Sequence, residues 1–392
     1  MKKHIVSILL FFVGIIYVSA QEKVDTFQFS TIKANPISSV KDQASSSTCW
    51  SFSALGFLES ELLRIGKPEL DLSAMFVVYK SYIDKADRYV RMHGETNFSP
   101  GGSFYDVIYC WKNYGIVPNA EMHGLNYGSP RHNHKELDKI LKSYVSDIAK
   151  TDGTISTVWK KPFEAILQAY LGTPPTDFVV DGKHYSPKSY AKSLGLNMDD
   201  YVSLTSFTHH PFYEKFVLEI PDNWRWSESY NLPLDELMRV FDNAIDNGYT
   251  IAWGADVSER GFTRNGIGVL PETNIANLPG SDQARWTGVS PRDVENQIYQ
   301  TNAPRPEVNV TQEMRQQQFD NYQTTDDHGM QIYGIARDQN GTKYYMVKNS
   351  WGVIAKYKGT WYISEAFTKL KTMNIVVNKN SIPKDLRDKL GI

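Results

Sequence analysis

Gln43-Ala44-Ser45-Ser46-Ser47-Thr48-Cys49-Trp50-Ser51-Phe52-Ser53-Ala54-Leu55 is the stretch whose conformation fixes everything else. From Cys49 to Gly66 the apolar residues Trp50, Ala54, Leu55, Leu58, Leu62 and Ile65 recur at three- and four-residue steps. That is the period of an amphipathic helix, and Gly66 and Pro68 stop it. The hydroxyl residues Ser45 to Thr48 suit the cap, so Cys49 stands at the helix N-terminus. Unpaired N–H groups there carry partial positive charge and favour a thiolate. A thiolate attacking a carbonyl also needs donors for the developing oxyanion. The Cys49 N–H and the side-chain amide of Gln43 are placed to supply them.

A lone cysteine is commonly just a small buried hydrophobe, so the reading needs a base and something to orient it. Asp326-Asp327-His328-Gly329-Met330 enters an expected strand, Gly329–Ala336. Val347-Lys348-Asn349-Ser350-Trp351-Gly352 ends another, Lys343–Lys348. An imidazole at His328 would take the thiol proton, the Asn349 carbonyl would fix the ring, and Trp351 would exclude water. The other histidines offer less. His209-His210, His132 and His134 have no H-E-x-x-H spacing and read as surface or structural residues, so no metal is expected.

Outward from this core, residues 21–40 look extended. Helices are expected over Ser73 to Arg88 and Phe104 to Tyr114, separated by the turn Pro100-Gly101-Gly102. Within 129–247, Lys135 to Lys150, Pro162 to Leu171 and Leu234 to Asn247 read as helices. From Thr250 the texture is that of strands: Ile251–Val257, Gly329–Ala336, Lys343–Lys348, Gly359–Ile363 and Asn374–Val377. Asn265 to Pro306 reads as a long loop. A helical front and a β-rich back give an α+β protein of two unlike lobes.

At the N-terminus, Lys2, Lys3 and His4 precede an apolar run, Ile5 to Val18, and Val-Ser-Ala ends at Ala20. This is the layout of a signal peptide cleaved after Ala20, and it implies export to the periplasm or the outside of the cell. No cysteine lies near that point to carry a lipid, and no integral membrane contact is expected. Net charge is −2, so no strong field points to nucleic acid. The two cysteines, Cys49 and Cys110, do not make a disulfide scaffold.

Taken together, Gln43-x5-Cys49-Trp50-Ser51-Phe52, Asp327-His328-Gly329 and Asn349-Ser350-Trp351-Gly352 resemble the papain superfamily in motif and chain order. The match is closest to its bleomycin hydrolase and aminopeptidase C branch. The branch marks are Asp-His-Gly-Met at 327–330, Tyr-Tyr-x-Val-Lys-Asn-Ser-Trp-Gly at 344–352, and a strand over Trp253 to Val257. The resemblance implies a papain-like two-lobe fold with a helical lobe at about 40–128, a helical insertion at 129–247 and a β-barrel-like lobe at 248–392. It implies Cys49 as nucleophile, His328 as base, Asn349 as orienting residue and Gln43 with the Cys49 N–H as oxyanion hole. Gly101, Gly102, Trp351 and Asp327 would line the substrate, with no cofactor. The implied activity is cysteine-type peptidase action on peptide substrates, most simply as an aminopeptidase; relatives form homo-oligomers (hexamers), and the sequence leaves open whether this chain does. A papain-like endopeptidase and a catalytically silent binding protein are the other readings; a transglutaminase-type acyltransferase would favour Asp where Asn349 stands.

Two departures stand out. Ser47 replaces the Gly of the papain signature, and the gap from Cys49 to His328 exceeds its usual 130–150 residues or so, which the insertion accounts for. Ser46 and Ser99 stand where secreted relatives pair cysteines. In the resembling branch a C-terminal arm enters the cleft. Here Asp385-Leu386-Arg387-Asp388-Lys389-Leu390-Gly391-Ile392 makes a short version of it. The expectation is either a C-terminal carboxylate that holds a substrate ammonium or a cleft open at that end.

Overall fold

The helix that begins at Cys49 is the axis of the molecule in a computed structural model that describes residues 26–300 and 302–392. The expected signal peptide, residues 1–20, lies outside the described residues. Strand β1 (Phe29–Ala34) leads to helices α1 (Cys49–Arg64), α2 (Ala74–Arg91) and α3 (Phe104–Asn113). Next come α4 (Lys135–Ala149), α5 (Lys160–Leu171), the hairpin β2 (Phe178–Val180) and β3 (Lys183–Tyr185), and α6 (Pro187–Leu194). Strands β4 (Tyr201–Thr205), β5 (Lys215–Val217) and β6 (Glu228–Asn231) precede α7 (Leu234–Asp246). Then follow β7 (Ile251–Ala255), β8 (Phe262–Thr263), β9 (Ile267–Gly268), α8 (Gly280–Arg285), α9 (Pro291–Gln300) and α10 (Gln312–Asp320). The chain finishes with β10 (His328–Asp338), β11 (Lys343–Lys348), β12 (Thr360–Ser364), α11 (Glu365–Lys371), β13 (Thr372–Asn378) and α12 (Lys384–Leu390).

Among the described residues the main sheet runs β5-β6-β4-β13-β7-β10-β11-β12-β9-β8, with β1 also on β10. β10 is its hub. One edge pairs with β7 through His328–Ile332 and then with β1 through Gly334–Asp338, and the other pairs with β11. One hydrophobic core joins α1 to α2, α3 and the following helices; another fills the space between the sheet, α7, α11 and α12.

Helix α1 lies between the two and is buried on all sides from Trp50 to Leu62, so the amphipathic expectation is corrected. A helix of that kind must satisfy its polar side chains internally. Ser60 accepts from Gln331 Nε2 at 2.7 Å, and Glu61 accepts from Arg64 and from Asn378 at 2.9 Å. Glu59 accepts from Lys41 Nζ at 2.6 Å, from the Leu72 N–H at 2.9 Å and from Ser38 Oγ.

Two further expectations are corrected. The insertion over 129–247 is not wholly helical, because β4, β5 and β6 join the main sheet, β4 directly on β13. These strands are three to five residues long, too short to show a two-residue alternation. Asn265 to Pro306 is not one loop, since it holds β9, α8 and α9 around a small core of Leu278, Trp286, Val294 and Ile298.

Glu59→Leu leaves Lys41 its ion pair with Asp71 but removes the acceptor of the buried Leu72 N–H. Chemical denaturation should show a loss of about 1–3 kcal/mol; a change within about 0.5 kcal/mol would mean the network contributes nothing.

Candidate active site

The loop into α1 owes its shape to backbone rather than to caps. Thr48 is the N-cap residue, but its side chain makes no cap bond; its hydroxyl pairs with Ser46 Oγ at 2.6 Å, which corrects the expected capping. Ser47 has φ +56°. That is the left-handed region where glycine is at ease and a serine costs about 1 kcal/mol. The Ser-for-Gly departure therefore keeps the turn and bears the strain.

The start of α1 is pressed against the start of β10. A Cβ on Gly329 would come within 2.8 Å of Ser53 Oγ, 3.0 Å of the Phe104 ring and 3.3 Å of Trp50 Cα. Only a glycine lets the helix end approach so closely. The backbone N–H groups of Gly329 and Trp50 act on the Cys49 sulfur so as to favour its anion. His328, the residue before Gly329, pairs in register with Ala255 of β7. Its Nε2 is 2.8 Å from Asn349 Oδ1, which leaves Nδ1 for proton exchange. Trp351 covers the imidazole at 4.9 Å between ring centres and is braced edge-on by Trp361.

Ser350 ties the remaining candidate to this group. Its carbonyl accepts from the Gln43 N–H at 2.8 Å, and its hydroxyl donates to Gln43 Oε1 at 2.7 Å. With Oε1 occupied, the Gln43 amide has its Nε2 left to donate, as an oxyanion site requires. The sequence-predicted residues Cys49, His328, Asn349, Gln43 and Trp351 are thus brought together.

Burial makes it costly to charge either partner alone. It pushes the Cys49 thiol up to about 12, with the Gly329 and Trp50 N–H groups opposing and Asp326 and Asp222 adding to the rise. It pushes His328 down to about 4, with Asn349 opposing. The two groups line one cavity, so burial opposes charging either of them in the same small space.

Gly102 and Asp327 line the same cavity as Cys49 and His328. A Cβ on Gly102 would meet the Trp50 ring at 2.9 Å. Asp327 accepts from the Val257 and Ser258 N–H groups at 2.8 and 3.0 Å and from the Ser258 hydroxyl. Its oxygens therefore brace the end of β7, and burial pushes it up to about 6. Gly101 lies under the carboxylate of Asp222, which would overlap a Cβ there.

Asp222 and its segment, Leu218 to Ser229, are what sequence reasoning missed. They fall in the stretch between β5 and β6 that carries no motif, and only the fold brings them to the cleft. Of the two C-terminal expectations, the one that brings the C-terminal carboxylate to the substrate is corrected. Helix α12 packs on α7 through Arg239–Asp385 and Lys389–Glu236, burying Leu386 and Leu390, so Asp385–Ile392 do not line the cleft.

The other candidates do not join the Cys49–His328 cavity. Cys110 is fully buried, its thiol raised by desolvation, and both cysteines are free. His132 and His134 stack edge-on with each other, and burial lowers His134 to about 4. His209 and His210 each meet Glu219, at 3.1 and 3.0 Å, a grouping able to hold a metal ion that sequence spacing did not show.

Comparison with known proteins agrees with this geometry. The model of the Peptidase C1-like family matches residues 14–279 and 280–391. Aminopeptidase C of Streptococcus thermophilus is 23% identical over 385 residues, covering 87% of this chain and 80% of its own. Aminopeptidase G of Lactobacillus delbrueckii subsp. lactis is 23% identical over 424 residues, covering 96% and 90%. The crystal structure of pepw from Lactobacillus rhamnosis superposes with a TM-score of 0.68 at 21% identity, over 92% of this chain and 84% of that one.

Gly329→Ala should leave the protein folded, destabilised by about 1–3 kcal/mol from overpacking. Its kcat should fall by about a hundredfold, because the helix end is displaced from the imidazole. Full activity would show that the close approach is not needed.

Proposed function

The chain belongs to the Peptidase C1-like family, and from that footing we propose that it hydrolyses peptide bonds at peptide N-termini through Cys49, His328 and Asn349. The observation that carries the reading is the convergence of three elements: Cys49 at the start of α1, the Gly329 N–H on its sulfur, and the 2.8 Å contact from His328 Nε2 to Asn349 Oδ1.

The chemistry follows from the residues. Sulfur passes its proton to His328 Nδ1 and attacks the scissile carbonyl carbon, and the oxyanion is met by the Cys49 N–H and the Gln43 amide. The imidazolium gives its proton to the leaving amine as the C–N bond breaks, leaving a thioester on Cys49. Water, giving a proton to His328, attacks that thioester; the C–S bond breaks and the sulfur is regenerated. Trp351 over the ring keeps competing water away from the pair.

The N-terminal mode is supported by the relatives, which are named aminopeptidases, and by the segment Leu218–Ser229, which narrows the cavity beside Cys49. The basic and apolar layout of residues 1–20 supports export.

Matched peptides with free and acetylated N-termini test the mode. Acetylation should cut turnover by about a hundredfold or more, in keeping with loss of a charged contact in a closed site. Equal cleavage of both, or release of internal fragments, would remove the N-terminal reading and leave an endopeptidase.

A further inference from the structure

The two ends of the cleft differ sharply in room. On the Gly101–Gly102 side, Leu218, Ile220 and Asp222 face Cys49 and Asp326 across about 30 Å³, space for one or two water-sized groups. Beyond His328, a cavity bordered by Asp42, Arg131, Arg264 and Trp351 measures about 720 Å³. A peptide has more room beyond His328 than beside Leu218, Ile220 and Asp222.

The stop is firmly built. Arg225 bridges Asp106 and Asp84 at 2.6 Å each, and Trp224 Nε1 donates to Asp106 at 3.0 Å. Asn223 Nδ2 holds the carbonyls of Leu218 and Ser227, and Asn97 Nδ2 holds that of Pro221 at 3.0 Å. The segment is thereby fixed to α2 and α3, and through them to the helix bearing Cys49.

Its tip presents charge. Asp222 Oδ1 takes long bonds from Asn97 and Ser99, at 3.3 and 3.4 Å, while Oδ2 takes none. Asp326, on the opposite wall, takes no hydrogen bond among the described residues; the charges acting on it are Asp222, Asp327 and Asp256, all of its own sign. The cation acting on Asp222 is Lys85, whose ammonium is spent on the carbonyls of Ser99 and Gly101. Burial raises both carboxyls above the usual range, and both push the Cys49 thiol upward. The cavity beside Cys49 thus carries two carboxylates, and among the described residues no cation forms an ion pair with either, which leaves room for one that a substrate brings.

We propose that Asp222 and Asp326 together bind the α-ammonium of the substrate's N-terminal residue, with Leu218–Ser229 as the stop that sets the cut relative to that end. The inference rests on the N-terminal reading above and assigns it to residues. An ammonium between the two carboxylates satisfies Oδ2 of Asp222 and the bare Asp326, and it cancels the field that opposes the thiolate. A substrate with a free N-terminus therefore helps to ionise Cys49, whereas an acetylated one both crowds the pocket and leaves the field in place.

The test compares wild type, Asp222→Asn and Asp326→Asn on aminoacyl 7-amido-4-methylcoumarins and their N-acetyl counterparts. Alkylation of Cys49 by iodoacetamide is the independent readout of an intact site. Both variants keep side-chain shape, and if one fails to fold the other decides. The expected result is a rise in KM for free-amine substrates of about tenfold or more, a smaller change in kcat, and a lower ratio of free to acetylated turnover. Alkylation should be as fast as in wild type or faster. Wild-type values of KM and of that ratio in the folded variants would overturn the assignment while wild type still prefers free N-termini. If wild type itself cleaves acetylated substrates equally well, the N-terminal reading fails, and this inference with it.

Discussion

The contact between the first turn of α1 and the first residues of β10 is the constraint on which the rest depends. Gly329 has no side chain, so Trp50 and Ser53 can lie against it, and a backbone N–H from the sheet reaches a sulfur on the helix. Each partner comes from a different part of the molecule. α1 is anchored by a core that includes α2 and α3, and β10 is held by β7, β11 and β1. The site is a seam between two rigid bodies, which is how a scaffold holds reactive groups within a fraction of an ångström.

Electrostatics at the seam oppose the free-standing charges that catalysis needs. Desolvation disfavours a lone thiolate and a lone imidazolium, and carboxylates at 222 and 326 add to the penalty on sulfur. Against that penalty stand Asn349 and Trp351, which hold the ring, and the helix end, which favours an anion. Sites of this kind give up stability for function: like charges held close together are costly, and Ser47 adds a strained backbone angle beside Cys49.

Much of this was legible in the sequence, and the boundary follows physical lines. The grouping of Cys49, His328 and Asn349 was readable because each sits in a short local motif at the end of a regular element: Cys49 at a helix start, His328 at a strand start, Asn349 after a strand. The strands Ile251–Ala255 and Lys343–Lys348 were visible because they are buried and bounded by turn residues. The strands β4 to β6 were not, since three to five residues joined to a sheet by tertiary pairing leave no period to detect. Asp222 was invisible for the same reason. Its importance lies in lying over Gly101, far away in sequence, and no local pattern records that. The polar face of α1 was misread as solvated because Glu59, Ser60 and Glu61 find their partners on distant segments.

The claim that Cys49 is a nucleophile made reactive by His328 is open to one direct measurement. Wild type and His328→Ala are each exposed to an epoxide-type thiol inactivator, and adduct formation is followed by intact mass and peptide mapping. The account predicts a single adduct on Cys49 in wild type, Cys110 untouched, and a rate in His328→Ala lower by about two orders of magnitude or more. An adduct on Cys110, no adduct at all, or equal rates in the two proteins would contradict it.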